Sequence, residues 1–339
     1  MKQITIPSVL AVLFAMVSLA VSLVVSLVVN LAVSPAALAQ SAGGKPIRII
    51  VPYPAGGTTD LMARALQDPL QKSLGQTLLI ENKAGAGGIV AAREVARSTP
   101  DGNTLLFINS GIVAVAPFVV KDAGIDGVKD FSPIALVSMS PLFMVINAAV
   151  PANDLKGFIE YVKRQPAPVE FASAGTGSFG HLASELFARS AGLKMTHIPY
   201  KGQAPTTNAV VAGEVKMLIT SASSAMNGFI ANGKLKLLGV ASSEPTPLAP
   251  GAPTVGSVLP GYEAETWFGF IAAAGTPPDV VAKLNDAINR ALQPAEMQQR
   301  FAGFGVQVKT ATPKRVGEMI AEDVARWAPV IRDNNIRSE

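Results

Sequence analysis

The chain has 339 residues with no cysteine, two histidines sixteen positions apart and a formal net charge of +4 at pH 7. The absence of cysteine excludes disulfides, thiol nucleophiles and thiolate metal sites, and two histidines exclude a histidine-rich metal centre. The positive charge is weak and dispersed, which argues against nucleic-acid binding, and the length predicts two lobes rather than one small domain.

Residues 1–39 differ in composition from the rest of the chain. Lys2 is their only charged side chain, residues 4–38 are an apolar run, and the run ends in Ala37-Leu38-Ala39. This combination predicts a secretory signal peptide that is cleaved before Gln40, and therefore a periplasmic protein. If it were left uncut, the apolar run would be long enough to span a bilayer.

Residues 45–64 predict a strand, a tight turn and the first turn of a helix. The strand is the β-branched run at residues 47–51, and Thr58 or Thr59 can cap a helix that begins near Asp60. The turn between them holds unpaired N–H groups at the positive end of a helix dipole, so it is a candidate anion site without a basic side chain. The alternative is a purely structural turn whose glycines allow close packing.

Two charged residues follow this turn at a spacing of one helical turn. Asp60 and Arg64 predict a salt bridge along the helix, although Asp60 is also close enough to contact an amine or hydroxyl of a ligand. The helix itself is expected to run from residue 60 to residue 74, with a kink or break at Pro69.

The next elements alternate between strands and helices. Strands are predicted at residues 77–81 and 104–109, and a helix at 89–97 follows a glycine-rich turn at 82–88. The third strand leads into Ser110 and Gly111. In an open parallel sheet all three loops lie on the same edge, where ligands bind.

Two apolar runs around Pro141 indicate the crossing into a second lobe. We expect lobe 1 at residues 41–141, lobe 2 at 142–262 and a return to lobe 1 at 263–339. The remaining predicted strands are at residues 134–139, 142–146, 169–173, 195–200, 215–220, 235–241 and 264–273. The remaining predicted helices are at residues 153–165, from the end of the 174–181 turn to residue 191, at 277–293 and at 312–334. The last of these is expected to pack on lobe 1.

A second glycine turn links a strand to a helix in the predicted second lobe. Gly175, Gly177 and Gly180 match the spacing of a dinucleotide-binding turn, but residues 195–201 lack the acidic residue that should follow. A second anion-accepting turn that faces the first across a cleft therefore fits better than a nucleotide site.

A serine hydrolase is also disfavoured. Ser178 and His181 lie one helical turn apart, but the nucleophile elbow needs glycine where this chain has Thr176. Ser178 is explained as a helix cap, and His181 could donate to a ligand or simply cap. His197 lies in a strand pattern and is expected to be a core or rim histidine.

Seven segments in order resemble the substrate-binding proteins of tripartite tricarboxylate transporters, the Bug (TctC) family. They are KPIRIIVPYPAGGTTDLMAR, LIENKAGAGG, PDGNTLLF, FASAGTGSFGHLASELF, HIPYKGQAP, GYEAETWFGF and GTPPDVVAKLN. The resemblance implies an α/β protein with the two-lobed, type II (Venus-flytrap) periplasmic binding fold, which closes on a small carboxylate in a cleft between the lobes. The competing class is an enzyme, either a nucleotide-dependent oxidoreductase or a serine hydrolase, but the missing acidic residue and the missing elbow glycine argue against both. We therefore expect no enzyme activity, no cofactor and no metal. The partners would be a small carboxylate and the membrane components of the transporter, the chain would be a monomer, and a ligand-sensing role remains the alternative to uptake.

The resemblance also implies the site. The two glycine turns would hold carboxylates, largely through backbone N–H groups and water, and two aromatic residues match family positions near the cleft. With the end of the third strand, the expected ligand-binding residues are Tyr53, Ala55, Gly56, Gly57, Thr58, Thr59, Asp60, Ser110, Gly111, Ser173, Gly175, Thr176, Gly177, Ser178, His181, Tyr200 and Trp267. The chain departs from the family pattern at Lys216, where an Asp is usual, and at residues 220–224, which are smaller and more polar than expected.

Overall fold

The computed structural model of the protein describes residues 45–337, except for the side chain of Ser224. The predicted signal peptide lies outside these residues. Among residues 45–337, no helix combines the length and the apolar character needed to cross a membrane.

The first part of the chain builds the sheet of lobe 1 and its covering helices. Its elements are β1 (Ile47–Val51), α1 (Thr58–Leu74), β2 (Leu78–Asn82), a 3₁₀ turn (Ala86–Gly88), α2 (Ile89–Ala96), β3 (Thr104–Asn109), α3 (Gly111–Ala114) and α4 (Ala116–Val119). The sequence predicted a kink or a break at Pro69. Helix α1 continues through Pro69, so there is no break. Met62, Leu66 and Leu70 bury the same face of α1 on both sides of the proline, and this packing offsets the lost backbone bond.

A single long strand connects the two lobes. β4 (Phe131–Asn147) pairs with β9 (Glu265–Ala273) over residues 131–141 and with β7 (Met217–Ser221) from Leu142 onward. The sequence indicated two separate apolar runs interrupted by Pro141. The structure instead has one uninterrupted strand that changes its partner immediately after the proline.

The middle and last parts of the chain form lobe 2 and the return to lobe 1. The elements not yet named are α5 (Leu155–Arg164), β5 (Val169–Ser173), α6 (Phe179–Ala191), β6 (Met195–Pro199), α7 (Gln203–Ala212), α8 (Ser224–Ala231), β8 (Leu235–Val240), a 3₁₀ turn (Val255–Ser257), α9 (Pro278–Leu292), α10 (Ala295–Gly303), β10 (Gln307–Val308) and α11 (Pro313–Asp333). Helices α3, α4, α7, α8 and α10 were not predicted from the sequence.

The strand order places the glycine turns at equivalent edges of the two sheets. Lobe 1 has the order β2-β1-β3-β9-β4-β10, and lobe 2 has the order β6-β5-β7-β4-β8. β1 is parallel to β2 and β3, and β5 is parallel to β6 and β7. The loops that follow β1, β2 and β3 therefore leave from one edge of the sheet, as the sequence predicted.

The last helix belongs to both lobes. Val316 and Ile320 of α11 pack with β1, β3 and α2 in lobe 1. Trp327, Val330 and Ile331 pack with α6 and β5 in lobe 2. The first half of α11 therefore packs on lobe 1, as expected from the sequence, while its second half packs on lobe 2 because its apolar stripe continues past the edge of lobe 1.

Candidate ligand site

Hydrogen bonds to a buried carboxylate stabilise the turn after β1, residues 53–59. Asp60 is 1% exposed, and its Oδ2 accepts from the backbone N of Gly56 and from Arg64 Nε, both at 2.9 Å. Its Oδ1 accepts from Asn82 Nδ2 at 2.9 Å, and the same amide donates to the carbonyl of Tyr53 at 3.0 Å. Both carboxylate oxygens of Asp60 thus accept hydrogen bonds from protein groups in or beside the turn.

The surroundings of Asp60 keep it ionised. Burial alone would raise the pKa of this carboxyl, but the bonds from Arg64, Gly56 and Asn82 hold the pKa below its usual value. The i, i+4 bridge to Arg64 predicted from the sequence is present at 2.9 Å. Asp60 shapes the turn, while the N–H groups that open α1 at Thr58 have no carbonyl partner within the helix.

The turn after β5, residues 174–178, is held by internal hydrogen bonds. Ser178 is the N-cap of α6, and its Oγ accepts from the backbone N of His181 at 3.3 Å. The backbone N of Gly177 donates to His181 Nδ1 at 3.1 Å. Because Nδ1 accepts this bond, the ring proton of neutral His181 lies on Nε2, which faces Glu185 Oε1 at 3.6 Å. The side chain of His181 therefore stabilises the turn by accepting a hydrogen bond from its backbone.

A second histidine lies under the same turn. The rings of His181 and His197 stack with centroids 3.7 Å apart, and His197 Nε2 lies 2.6 Å from Ser173 Oγ. Burial, and then the neighbouring His181, lower the pKa of His197 to about 4. Ser173 Oγ also donates to the carbonyl of Gly175 at 3.0 Å. Ser173 and the stacked rings of His181 and His197 therefore pack beneath the turn.

Two cavities adjoin the glycine turns. The larger of these two lies between the lobes and has a volume of about 740 Å³. Its lobe 2 side is the turn after β5 and the start of α6. Its lobe 1 side comes from Tyr53, the 3₁₀ turn after β2, the end of β3 and residues 111–121. Its lining residues are Tyr53, Ala86, Gly87, Asn109, Gly111, Val115, Ala116, Val119, Val120, Lys121, Thr176, Gly177, Ser178 and Phe179. None of these is acidic, and Lys121 alone is charged.

A smaller cavity of about 430 Å³ lies against the turn after β1. Its lining residues are Tyr53, Pro54, Ala55, Gly57, Thr58, Thr59, Asn109 and Phe268. Tyr53 and Asn109 line both cavities, so these two side chains stand between the two glycine turns. Neither an acidic nor a basic side chain lines this smaller space.

Tyr53 and Asn109 form a short hydrogen-bonded chain at this border. Asn109 Nδ2 donates to the Tyr53 hydroxyl at 2.8 Å, while Asn109 Oδ1 accepts from the backbone N of Gly111 at 3.1 Å. The hydroxyl oxygen thus acts as an acceptor toward the protein, which leaves its own O–H as a donor toward the cavities. Burial raises the pKa of Tyr53 to about 12, so the hydroxyl keeps its proton at neutral pH.

The lobes touch at two glycines beside the larger cavity. A Cβ built on Gly177 would lie 2.9 Å from Val119 Cγ1, and one built on Gly111 would lie 2.7 Å from Phe179 Cε2. Phe179 in turn packs edge-on against Trp327, with ring centroids 6.0 Å apart. Only a residue without a side chain fits at either glycine in this arrangement.

Nine of the residues proposed from the sequence line one of the two cavities. They are Tyr53, Ala55, Gly57, Thr58, Thr59, Gly111, Thr176, Gly177 and Ser178. The other eight, which line neither cavity, are Gly56, Asp60, Ser110, Ser173, Gly175, His181, Tyr200 and Trp267. Gly56, Asp60, Ser173, Gly175 and His181 frame the turns.

The remaining three of these eight point elsewhere. Ser110 is fully buried, with its Oγ 3.3 Å from Thr266 Oγ1. The Tyr200 hydroxyl donates to Glu214 at 3.5 Å. Trp267 is 2% exposed, and its indole N–H donates to Asp323 at 2.8 Å. The side chain of Trp267 is therefore committed to the core of lobe 1.

Several lining residues were not named from the sequence. The α3–α4 segment reads as a plain apolar run broken by a proline, and only its position in the fold brings Val119 and Lys121 to the cavity. Asn109 carried a detectable signal, since a polar residue that ends a strand at a ligand edge is a candidate. Within residues 45–337, no group of three or more His, Asp or Glu side chains is placed to hold a metal ion.

Comparison with known proteins identifies relatives along most of the chain. The model of the tripartite tricarboxylate transporter family receptor (TctC) matches residues 62–336. BugT of Bordetella pertussis (strain Tohama I) is 35% identical over 295 residues, which cover 86% of this chain and 90% of BugT.

Two solved structures carry bound acids. MatC from Rhodopseudomonas palustris with bound malate is 33% identical, with a TM-score of 0.67 and coverage of 84% of this chain and 98% of MatC. A second R. palustris protein, solved with adipate, is 28% identical, with a TM-score of 0.70 and coverage of 86% of this chain and 98% of that protein. The chain therefore belongs to the tripartite tricarboxylate transporter receptor (TctC) family and has the two-lobed fold of the periplasmic binding proteins.

Proposed function

We propose that this protein is a periplasmic solute-binding protein that captures a small carboxylate and delivers it to the membrane components of a tripartite tricarboxylate transporter. The observation that carries the proposal is the larger cavity between the lobes, which offers hydrogen-bond donors and one lysine but no acidic side chain. Such a lining favours an anionic ligand over a cation. The malate and adipate bound to two structural relatives support the same ligand class.

The donors of the cavity come from both lobes. Lobe 1 contributes the Tyr53 hydroxyl, oriented by Asn109. Lobe 2 contributes the hydroxyls of Thr176 and Ser178 and the N–H groups that open α6 at Phe179. The N–H groups of Gly177 and Ser178 already donate to His181 and to the carbonyl of Gly175, so they hold the turn rather than the ligand.

Lobe closure would complete the site. Each lobe supplies only part of the donor set, so an open form would bind the acid weakly and a closed form tightly. The contact of Gly177 with Val119 is the kind of contact that closure would form. The larger cavity has room for more than one acid group, which makes dicarboxylates our first choice of ligand.

The cellular setting rests on the sequence. The predicted signal peptide would export the chain, and cleavage before Gln40 would release it into the periplasm. Delivery to membrane partners is the role that family membership supports, and we expect the protein to act as a monomer. Intact mass of the exported protein tests cleavage, because a mature chain that retains Lys2 would contradict it.

A thermal-shift panel tests the binding proposal. A ligand at 100 times its Kd stabilises the folded state by about 2.7 kcal/mol, which should raise the melting temperature by several degrees. We expect at least one mono-, di- or tricarboxylate to do so, and its methyl ester, which has the same body without the charge, to fail. NAD and neutral sugars should also fail. A shift with NAD and none with any acid would contradict the proposal.

A further inference from the structure

Five apolar residues line the larger cavity, and we call them its apolar wall. Val115, Ala116, Val119 and Val120 lie in or next to helix α4 of lobe 1, and Phe179 lies in lobe 2. These side chains can accept no hydrogen bond from a hydroxylated acid. They gain free energy only when an apolar part of a ligand covers them.

The cavity is also larger than a four-carbon acid requires. Its volume of about 740 Å³ falls within the range of roughly 300–1,000 Å³ that is usual for sites of drug-sized ligands. A short dicarboxylate held by Tyr53 and the turn after β5 would leave the apolar wall in contact with water. The wall and the volume together favour a ligand with an apolar body.

The end of this wall is positively charged. Lys121 lines the cavity, and its side chain is exposed to solvent. Two guanidinium groups bind carbonyls beside it: Arg93 donates to Ala123 at 2.6 Å and also to Asp122, and Arg337 donates to Phe118 at 3.0 Å. Both arginines bind backbone oxygens, which carry no net charge. These bonds therefore do not neutralise the positive charge of the guanidinium groups.

Among residues 45–337, this end therefore carries more positive than negative charge. Lys121 and the two arginines that bind carbonyls of residues 118–123 are the positive groups, and Asp122 is the acidic residue of that segment. An anionic group that reaches this end would find a favourable field, and Lys121 is the cation with access to the cavity.

We propose that the ligand is a dianionic acid whose two acid groups are separated by an apolar body, and that Lys121 selects it by pairing with the distal acid group. This inference rests on the proposed function and specifies its substrate. The first carboxylate contacts the Tyr53 hydroxyl and the turn after β5, the apolar body covers the apolar wall, and the second carboxylate reaches Lys121. Lys121 is then a specificity residue, and the first carboxylate binds without it.

Three related acids separate the two parts of the inference in calorimetric titrations. Octanedioate has both acid groups and the apolar body, octanoate lacks the distal acid group, and butanedioate lacks the body. We expect the wild-type protein to bind octanedioate at least fivefold more tightly than octanoate and at least tenfold more tightly than butanedioate. The loss of four buried CH₂ groups accounts for the larger ratio.

Two lysine variants test the role of Lys121. Lys121→Met removes the charge at the cavity, and Lys163→Met removes an exposed charge from α5 as a matched control. We expect Lys121→Met to weaken octanedioate at least fivefold while octanoate changes less than twofold. Lys163→Met should leave both affinities within twofold, and circular dichroism should report folded protein for both variants.

The possible outcomes separate this inference from the proposed function. If butanedioate binds as tightly as octanedioate, or if Lys121→Met weakens octanoate as much as octanedioate, the inference is wrong while carboxylate capture stands. If a short hydroxylated acid binds and octanedioate does not, the inference is again wrong. If no acid binds to the wild-type protein, both the inference and the proposed function fall.

Discussion

Gly177 of lobe 2 lies so close to Val119 of lobe 1 that a Cβ on the glycine would come within 2.9 Å of the valine Cγ1. We expect Gly177→Ala to hold the lobes apart and to weaken carboxylate binding at least tenfold in calorimetric titrations. The alanine would also be strained, because Gly177 has a φ of +77°.

Gly192 separates the backbone strain from the clash between lobes. It has a φ of +64° at the end of α6, and a Cβ built there meets nothing within 4 Å. Gly192→Ala should therefore lower the melting temperature by an amount similar to Gly177→Ala while affinity stays unchanged. Equal affinities in the two variants would contradict a role for the Gly177 contact in closure.

The Tyr53 hydroxyl is expected to donate to the ligand. Hydrogen bonds to charged groups contribute roughly 1.5–3 kcal/mol, so Tyr53→Phe should weaken binding by about tenfold or more. Tyr200→Phe is the matched control, because its hydroxyl donates to Glu214 at 3.5 Å and lines neither cavity. The prediction fails if both variants bind the acid like the wild-type protein.

Ligand-dependent fluorescence should come from Trp327. Its ring packs against Phe179, which lines the larger cavity, whereas Trp267 is held in the core by Asp323. The sequence suggested Trp267 as a ligand-binding residue instead. Because the chain has two tryptophans, we expect Trp267→Phe to keep the emission change on ligand addition and Trp327→Phe to lose it. The reverse pattern would restore the assignment made from the sequence.

Acid should destabilise the protein through His197. Its pKa in the folded state is about 4, below the ordinary value of 6.5, so between these values the unfolded chain binds a proton that the folded chain does not. The stability from this group is fully present above pH 6.5 and is lost as the pH falls toward 4. His197→Phe keeps a ring in the stack without a titrating group.

Melting temperatures at pH 7.5 and pH 4.5 measure this effect. We expect the drop between the two pH values to be smaller for His197→Phe than for the wild-type protein. An identical drop would mean that the acid sensitivity arises from other groups.

The regular elements that bury one apolar face were readable from the sequence. Strands β1 and β5 occupy the residues predicted. β1 is a β-branched run that is followed by proline, and β5 is a mostly apolar run before a glycine-rich turn. Helices α3 and α4 were missed because residues 111–119 are apolar on all sides and carry no helical periodicity. Their helical form depends on burial between the lobes, which no local pattern reports.

The site was predictable as two turns but not as a set of side chains. Glycine-rich strand-to-helix connections identified both turns, and the parallel strand order puts such connections at ligand edges. The sequence could not show that Asp60 bonds to Gly56 and Asn82, or that His181 bonds to Gly177 and lines neither cavity. Such orientations depend on partners such as Asn82, which lies 22 positions from Asp60.

Strand β4 and helix α11 have a consequence for how the protein unfolds. β4 is hydrogen-bonded into both sheets, and α11 fills the cores of both lobes. Neither lobe therefore has a complete hydrophobic core of its own. Separating the lobes would expose a sheet edge where β4 pairs and an apolar surface where α11 packs. We therefore expect the two lobes to unfold as one cooperative unit, so that heating gives a single calorimetric transition.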